Sequence, residues 1–275
     1  MEIVKQVDKL KEKRSVLGGK RIGFVPTMGA LHEGHLSLID HAKFKSDYVV
    51  VSIFVNPTQF NDANDLAKYP RNIEQDLKLL EEKKVDLVFC PDYDSLYKSE
   101  VKAEVYLKGL DKELEGESRD GHFDGVVRVL NLFFSLIKPQ FTFFGEKDYQ
   151  QLLVVQQFAH QHFKNINIIP CPTIRELNGL AMSSRNKRLS KKERETASGI
   201  YKTLKHCQDK FNFEEIQDLE SRYCNLLAEF SDLEYFEIRD AKNLSKKGTK
   251  KTKWRAFVAT KIAGVRLIDN IALNY

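Results

Sequence analysis

The sequence predicts an α/β protein: a parallel sheet covered on both faces by helices over residues 1–175, then a smaller α+β domain over residues 176–275. Three observations carry this reading. Short continuous apolar runs alternate with helix-period segments through the first part of the chain, as expected of strands buried on both faces. That alternation stops near residue 176, and helices and strands are grouped from there on. Polar motifs follow directly on the apolar runs, and open parallel sheets bind ligands at the carboxyl ends of their strands.

Taken in order, residues 21–25, 49–55, 85–90, 141–144 and 166–169 read as strands. Residues 36–45, 72–83, 126–137 and 149–163 read as the helices between them. The junction, ELNGLAMSSRN at 176–186, is rich in small residues and contains Gly179, as a hinge or mobile loop requires. Beyond it, 191–210 and 212–229 read as helices and 235–239, 254–262 and 265–267 as short strands. Ser190 is the natural cap for the helix that starts at Lys191.

Composition narrows the class. With 275 residues, 42% apolar and 30% charged, the chain can build sizeable cores. Its mean hydropathy of −0.43 and its short apolar runs exclude a bilayer span. The first 15 residues, MEIVKQVDKLKEKRS, have no apolar core of a secretory signal, so a cytoplasmic location is expected. Cys90, Cys171, Cys207 and Cys224 are scattered with no CxxC pair, which suits reduced thiols and argues against a zinc site. Net charge is +5, and six lysines fall between Lys242 and Lys253. With no aromatic residue among them, that tract reads as a solvated loop or hairpin tip, and no nucleic-acid or membrane partner is expected.

Five motifs carry chemistry. PTMGALHEGHLS, residues 26–37, sets His32 and His35 three apart at a helix start, where free backbone N–H groups and the positive dipole end favour phosphate. Pro26 fixes the backbone, Gly29 lets it turn close to a ligand, and Gly34 leaves room for a nucleotide against the helix. The segment is neither a P-loop nor GxGxxG. FVNPTQF, residues 54–60, offers Asn56 and Gln59 to hydroxyls and carboxylates, with Pro57 shaping the turn. RDGHFDG, residues 119–125, presents Arg119 and His122 between glycines. FFGEKDYQQ, residues 143–151, sets Lys147, Asp148 and Gln151 between a strand and a helix, with Lys147 a mobile cation for phosphate charge. AMSSRN, residues 181–186, gives Ser183, Ser184 and Arg185, two hydroxyls and a guanidinium able to close over a polyphosphate.

In this order, together with YPR at 69–71 and VRLIDNIAL at 265–273, these motifs resemble the pantothenate synthetase (pantoate–β-alanine ligase) family over essentially the whole chain. That family lies within the wider set of HxGH adenylylating enzymes. The resemblance implies a Rossmann-like N-terminal domain and a small C-terminal lid. It implies ATP-dependent joining of pantoate and β-alanine through a pantoyl adenylate, with Mg²⁺, in a homodimer. It assigns Gln59 and Gln151 to pantoate, with Asn56 beside them in a lesser role, and His122 and Arg119 to the β-alanine and phosphate end. His32, His35, Lys147, Ser183, Ser184 and Arg185 would hold the ATP phosphates and stabilise charge in adenylation. Pro26, Thr27, Met28, Gly34, Gly145, Asp148 and Met182 would complete the ATP site, and Asp76 would touch the metal. The alternatives are a nucleotidylyltransferase, disfavoured by the two glutamines, and a nucleotide-binding regulatory module, disfavoured by His32, His35, Lys147 and Arg185 all being present.

Three departures stand out. Thr58 replaces the Met common in the family after the proline of the second motif. Arg128 and Asn131 stand where Thr and Lys are common, and the acidic stretch after YPR is only Glu74-Gln75-Asp76.

Overall fold

The computed structural model describes residues 1–98 and 104–273. The chain divides into two compact units, one of Met1–Glu146 with Val154–Pro172, the other of Lys147–Leu153 with the chain from Thr173 onward.

The first unit is a six-stranded, all-parallel sheet. Its strands are β1 (Glu2–Val4), β2 (Ile22–Thr27), β3 (Tyr48–Ile53), β4 (Leu87–Phe89), β5 (Phe141–Gly145) and β6 (Asn167–Cys171), in the order β1-β4-β3-β2-β5-β6. Its helices are α1 (Val7–Ser15), α2 (Glu33–Lys45), α3 (Ala63–Lys68), α4 (Ile73–Glu82), α5 (Tyr93–Tyr97), α6 (Glu115–Ser118), α7 (His122–Ile137) and the C-terminal part of α8 (Tyr149–His162). Strand order reverses between β2 and β5, which makes the carboxyl ends of these two strands the switch point where such sheets bind ligands.

Alternation along β2 feeds two cores. Val25 joins Leu36, Ile39, Val49, Val51, Leu80 and Val88 under α2 and α4. Phe24, on the opposite face, meets Phe133 and Phe134 of α7 edge-on at 5.6 and 6.5 Å. Helix α7, HFDGVVRVLNLFFSLI, buries eleven of its sixteen residues, so it can serve as the wall of that second core.

The second unit packs α9 (Lys191–Asp209) and α10 (Ile216–Ala228) on an antiparallel sheet of β7 (Asp232–Asp240), β8 (Trp254–Ile262) and β9 (Val265–Ala272). Ser190 caps α9 in a reciprocal box with Glu193, as expected. A two-residue turn at Ala263-Gly264, both with positive φ, joins β8 to β9. The lysine tract is the connection between β7 and β8 and is largely exposed.

The predicted α/β class with a smaller α+β domain holds, with extensions. β1 is a three-residue edge strand paired to β4, too short to leave a periodic signal. β9 runs on to Ala272, past the predicted end at Leu267, because Asp269-Asn270 interrupts the apolar pattern that marks the strand. Among the described residues, no helix is long and apolar enough to cross a membrane.

Candidate active site

The turn from β2 into α2 carries the HEGH motif. Gly29 and Ala30 both adopt positive φ, 78° and 51°, a reversal that a non-glycine residue holds only when its surroundings enforce it. The Asp76 carboxylate supplies that restraint. It is 2% exposed and accepts from the Ala30 and Leu31 amides at 2.8 and 2.7 Å. Thr27 Oγ1 adds a second clamp, donating to Ser52 O at 2.7 Å and accepting from the Gly29 amide at 3.2 Å. Each Asp76 oxygen thus accepts one loop amide, which makes this carboxylate an anchor of the turn. Among the described residues no group of three or more His, Cys, Asp or Glu side chains could hold a metal ion.

His32 is the N-cap of α2, and its Nδ1 accepts from the Gly34 amide at 3.1 Å. An accepting Nδ1 places the ring proton of a neutral imidazole on Nε2. His35 follows inside the first turn, and the two ring centroids lie 4.1 Å apart. The pair thus sits where the helix presents its open N–H groups, as the spacing predicts.

The turn after β3 is built around Asn56, 1% exposed. Its Nδ2 donates to Gly125 O at 3.0 Å and to Gln59 Oε1 at 3.2 Å, and its Oδ1 accepts from Tyr97 OH at 2.8 Å and Thr58 Oγ1 at 3.0 Å. Tyr97 in turn lies under the Arg128 guanidinium, 4.6 Å from the ring centroid. Thr58 and Arg128, two of the departures, thus belong to one polar cluster. It fixes which way the Asn56 amide faces, and Asn56 then fixes Gln59. With Oε1 held, Gln59 turns its Nε2 toward Met28 Sδ at 3.0 Å, so this side chain offers a donor end.

Helix α7 meets this turn closely. A Cβ on Gly125 would lie 2.3 Å from Thr58 O, so only glycine fits at that contact. His122, at the start of α7, donates from Nδ1 to Gln59 O at 2.8 Å, and its Nε2 faces Arg119 Nη1 at 3.1 Å. A carbonyl only accepts and a guanidinium only donates, so these two bonds select the neutral Nδ1–H tautomer. Arg119 Nη2 also reaches Gln59 O, at 3.5 Å. Arg119, His122, Asn56, Gln59 and Met28 are therefore one connected group.

β5 ends at Gly145, and Lys147, Asp148 and Gln151 follow in a short 3₁₀ turn and the start of α8. These three belong to the second unit. Lys147 Nζ lies 3.3 Å from Asp148 Oδ1, and the Lys147 carbonyl accepts from Asn270 Nδ2 at 2.8 Å. The same unit carries the AMSSRN turn. Met182 N donates to Ile174 O at 2.9 Å, and Ser183 caps a 3₁₀ turn, Ser184–Arg188, accepting from the Arg185 amide at 3.3 Å. Asn186, 4% exposed, ties this turn down by donating to Ala181 O and Glu176 Oε1 at 3.0 and 2.8 Å. Sequence reasoning passed over Tyr97, Asp269 and Asn270. Buried polar residues inside apolar patterns were the available signal for the last two.

A family model described as pantoate–β-alanine ligase matches residues 2–272. The chain is 46% identical over 264 residues to the pantothenate synthetase of Christiangramia forsetii, covering 93% of each, and 44% identical over 266 residues to that of Aquifex aeolicus, covering 95% of this chain and 93% of that one. Among solved structures, the pantothenate synthetase of Thermus thermophilus superposes with a TM-score of 0.89 at 36% identity over the whole of both chains. The Francisella tularensis pantoate–β-alanine ligase, solved in complex with β,γ-ATP and β-alanine, matches with a TM-score of 0.82 at 37% identity, covering 99% of this chain and 97% of that one. With its family model matched almost end to end and relatives this similar, the chain belongs to the pantoate–β-alanine ligase family.

Proposed function

We propose that this chain condenses pantoate with β-alanine to pantothenate at the expense of ATP, releasing AMP and pyrophosphate. One observation carries the reading: in a chain of this family, the HEGH turn and the Gln59 turn leave the carboxyl ends of neighbouring parallel strands, β2 and β3, beside the switch point. A carboxylate is a poor acyl donor because oxide would have to leave. In the first step a pantoate carboxylate oxygen attacks the α-phosphorus and pyrophosphate departs, giving pantoyl adenylate. In the second the β-alanine amine attacks the pantoyl carbonyl, the amine proton passes to solvent, and AMP departs.

His32, at the cap of α2, and His35 donate to ATP oxygens. Lys147, Ser183, Ser184 and Arg185 neutralise the charge that builds on the α-phosphate and the leaving pyrophosphate. Pro26, Thr27, Met28, Gly34, Gly145, Asp148 and Met182 shape the nucleotide's surroundings. This is catalysis by position and electrostatics, without a covalent enzyme intermediate. Gln59 and Gln151 hold pantoate. The donor end of Gln59 suits a carboxylate or hydroxyl oxygen. His122 and Arg119 act by holding the Gln59 carbonyl, and neither is the base of the amine step.

Among the described residues no group of three or more His, Cys, Asp or Glu side chains forms a metal cage, so a Mg²⁺ ion would have at most the Asp76 carboxylate, each of whose oxygens can accept beyond its one amide. A cation arriving with ATP would take its other ligands from phosphates and water and would offset phosphate charge. The family resemblance also supports a cytoplasmic homodimer, which sedimentation of the purified chain tests for its assembly. The activity test is incubation with ATP, pantoate and β-alanine. AMP released in sustained turnover only when both small substrates are present supports the reading, and ADP as product overturns it.

A further inference from the structure

Strand β9 breaks its own alternation at Asp269 and Asn270, two polar neighbours that are each 4% exposed. Successive residues of a strand point to opposite faces, so this pair reaches both sides of the small sheet. Asp269 pairs in register with Val258, on the face that packs against α9 and α10. There it takes a bidentate ion pair from Arg175, at 2.5 and 3.0 Å. Arg175 also donates to Gly179 O at 3.1 Å, lies over the Tyr201 ring at 3.8 Å, and bridges to Ala181. That bridge leads straight into Met182 and Ser183.

Asn270 pairs with Phe257 on the other face, where Tyr149 packs at 5.9 Å. Its Nδ2 donates to the Lys147 carbonyl at 2.8 Å. Its Oδ1 accepts from Arg255, whose guanidinium also covers the Tyr149 ring at 3.8 Å. The two halves are joined, since the Asn270 amide donates to Asp269 Oδ1 at 2.8 Å.

We infer that Asp269 and Asn270 are positioning residues for adenylation: a two-sided brace that holds the Lys147 turn on one face of the sheet and the Ser183–Arg185 turn on the other. The inference rests on the proposed role of those two turns at the ATP phosphates. Asp269 and Asn270 touch neither substrate. They set where the cation and the hydroxyls stand, and rates respond steeply to such placement.

The test is pantoate-dependent exchange of ATP with labelled pyrophosphate, with melting temperature measured alongside. Asn270→Asp keeps the oxygen that Arg255 contacts but replaces the N–H donor with a carboxylate facing the Lys147 carbonyl. Its kcat for exchange should fall on the order of 10²-fold, while the KM for pantoate stays at the wild-type value. Added to Lys147→Met, Asn270→Asp should lower exchange no further, since it acts through Lys147. Wild-type kcat in Asn270→Asp, or its full factor multiplying onto Lys147→Met as an independent structural defect would, overturns the inference. Should Asn270→Asp fail to fold, Arg255→Met carries the same test by removing the guanidinium that orients the Asn270 amide. A loss in kcat at constant pantoate KM supports the brace, and an unchanged kcat overturns it. Absence of pantoate-dependent exchange in the wild-type chain would overturn the functional reading, and the inference with it.

Discussion

Asp76→Asn tests the anchor of the HEGH turn with a single oxygen-to-nitrogen exchange. The buried carboxylate accepts from two amides of the PTMGAL loop at 2.8 and 2.7 Å, one of them on Ala30 with φ 51°. An asparagine can accept only one of these bonds, and its NH₂ group must face the other amide. One charge-assisted hydrogen bond is lost and one buried N–H is left unsatisfied, together about 2–4 kcal/mol. For a unit of this size that lowers the melting temperature by roughly 4–16 °C. Because the only tryptophan, Trp254, lies in the other unit, circular dichroism should register the shift and Trp254 fluorescence is the internal control. Activity should fall with the loop. A variant with unchanged melting would refute the anchor.

Lys147→Ala should lower pantoate-dependent ATP–pyrophosphate exchange by on the order of 10²–10³ with the melting temperature retained, and near-normal exchange contradicts the role given to the ammonium. His122→Ala should raise the pantoate KM about tenfold by loosening Gln59, with the pH profile of the amine step unchanged; a bell-shaped profile that disappears in this variant would make His122 the base. Burial pushes the Cys207 thiol up to about 12, from an ordinary value near 9. Above pH 9 the unfolded thiol ionises while the folded one stays protonated, so stability should fall between pH 9 and 12. In Cys207→Ser that decline should be shallower in urea titrations run across the window, and equal slopes refute the assignment.

The sheet was legible because its inner strands are continuous apolar runs, and the motifs fell after them as parallel topology requires. β1 was not, because three residues carry no period. The HEGH turn could be placed at a helix start from its composition, but its support could not: Asp76 reaches it from 45 residues away in sequence. Asn56 looked like a turn former, and only the contacts of Gly125, Tyr97 and Thr58 show it as the group that orients Gln59. Asp269 and Asn270 fall outside the predicted strand 265–267 because single-sequence patterning treats a polar pair as exposed. Their partners, Arg175 and the Lys147 carbonyl, are 94 and 123 residues distant.

The central claim is that the pantoate carboxylate attacks the α-phosphorus of ATP. Pantoate labelled with ¹⁸O in its carboxylate, turned over with ATP and β-alanine, tests it in one mass spectrum of the nucleotide product. The expected product is AMP carrying one ¹⁸O from the carboxylate. Unlabelled AMP, or ADP with the label in inorganic phosphate, would contradict it.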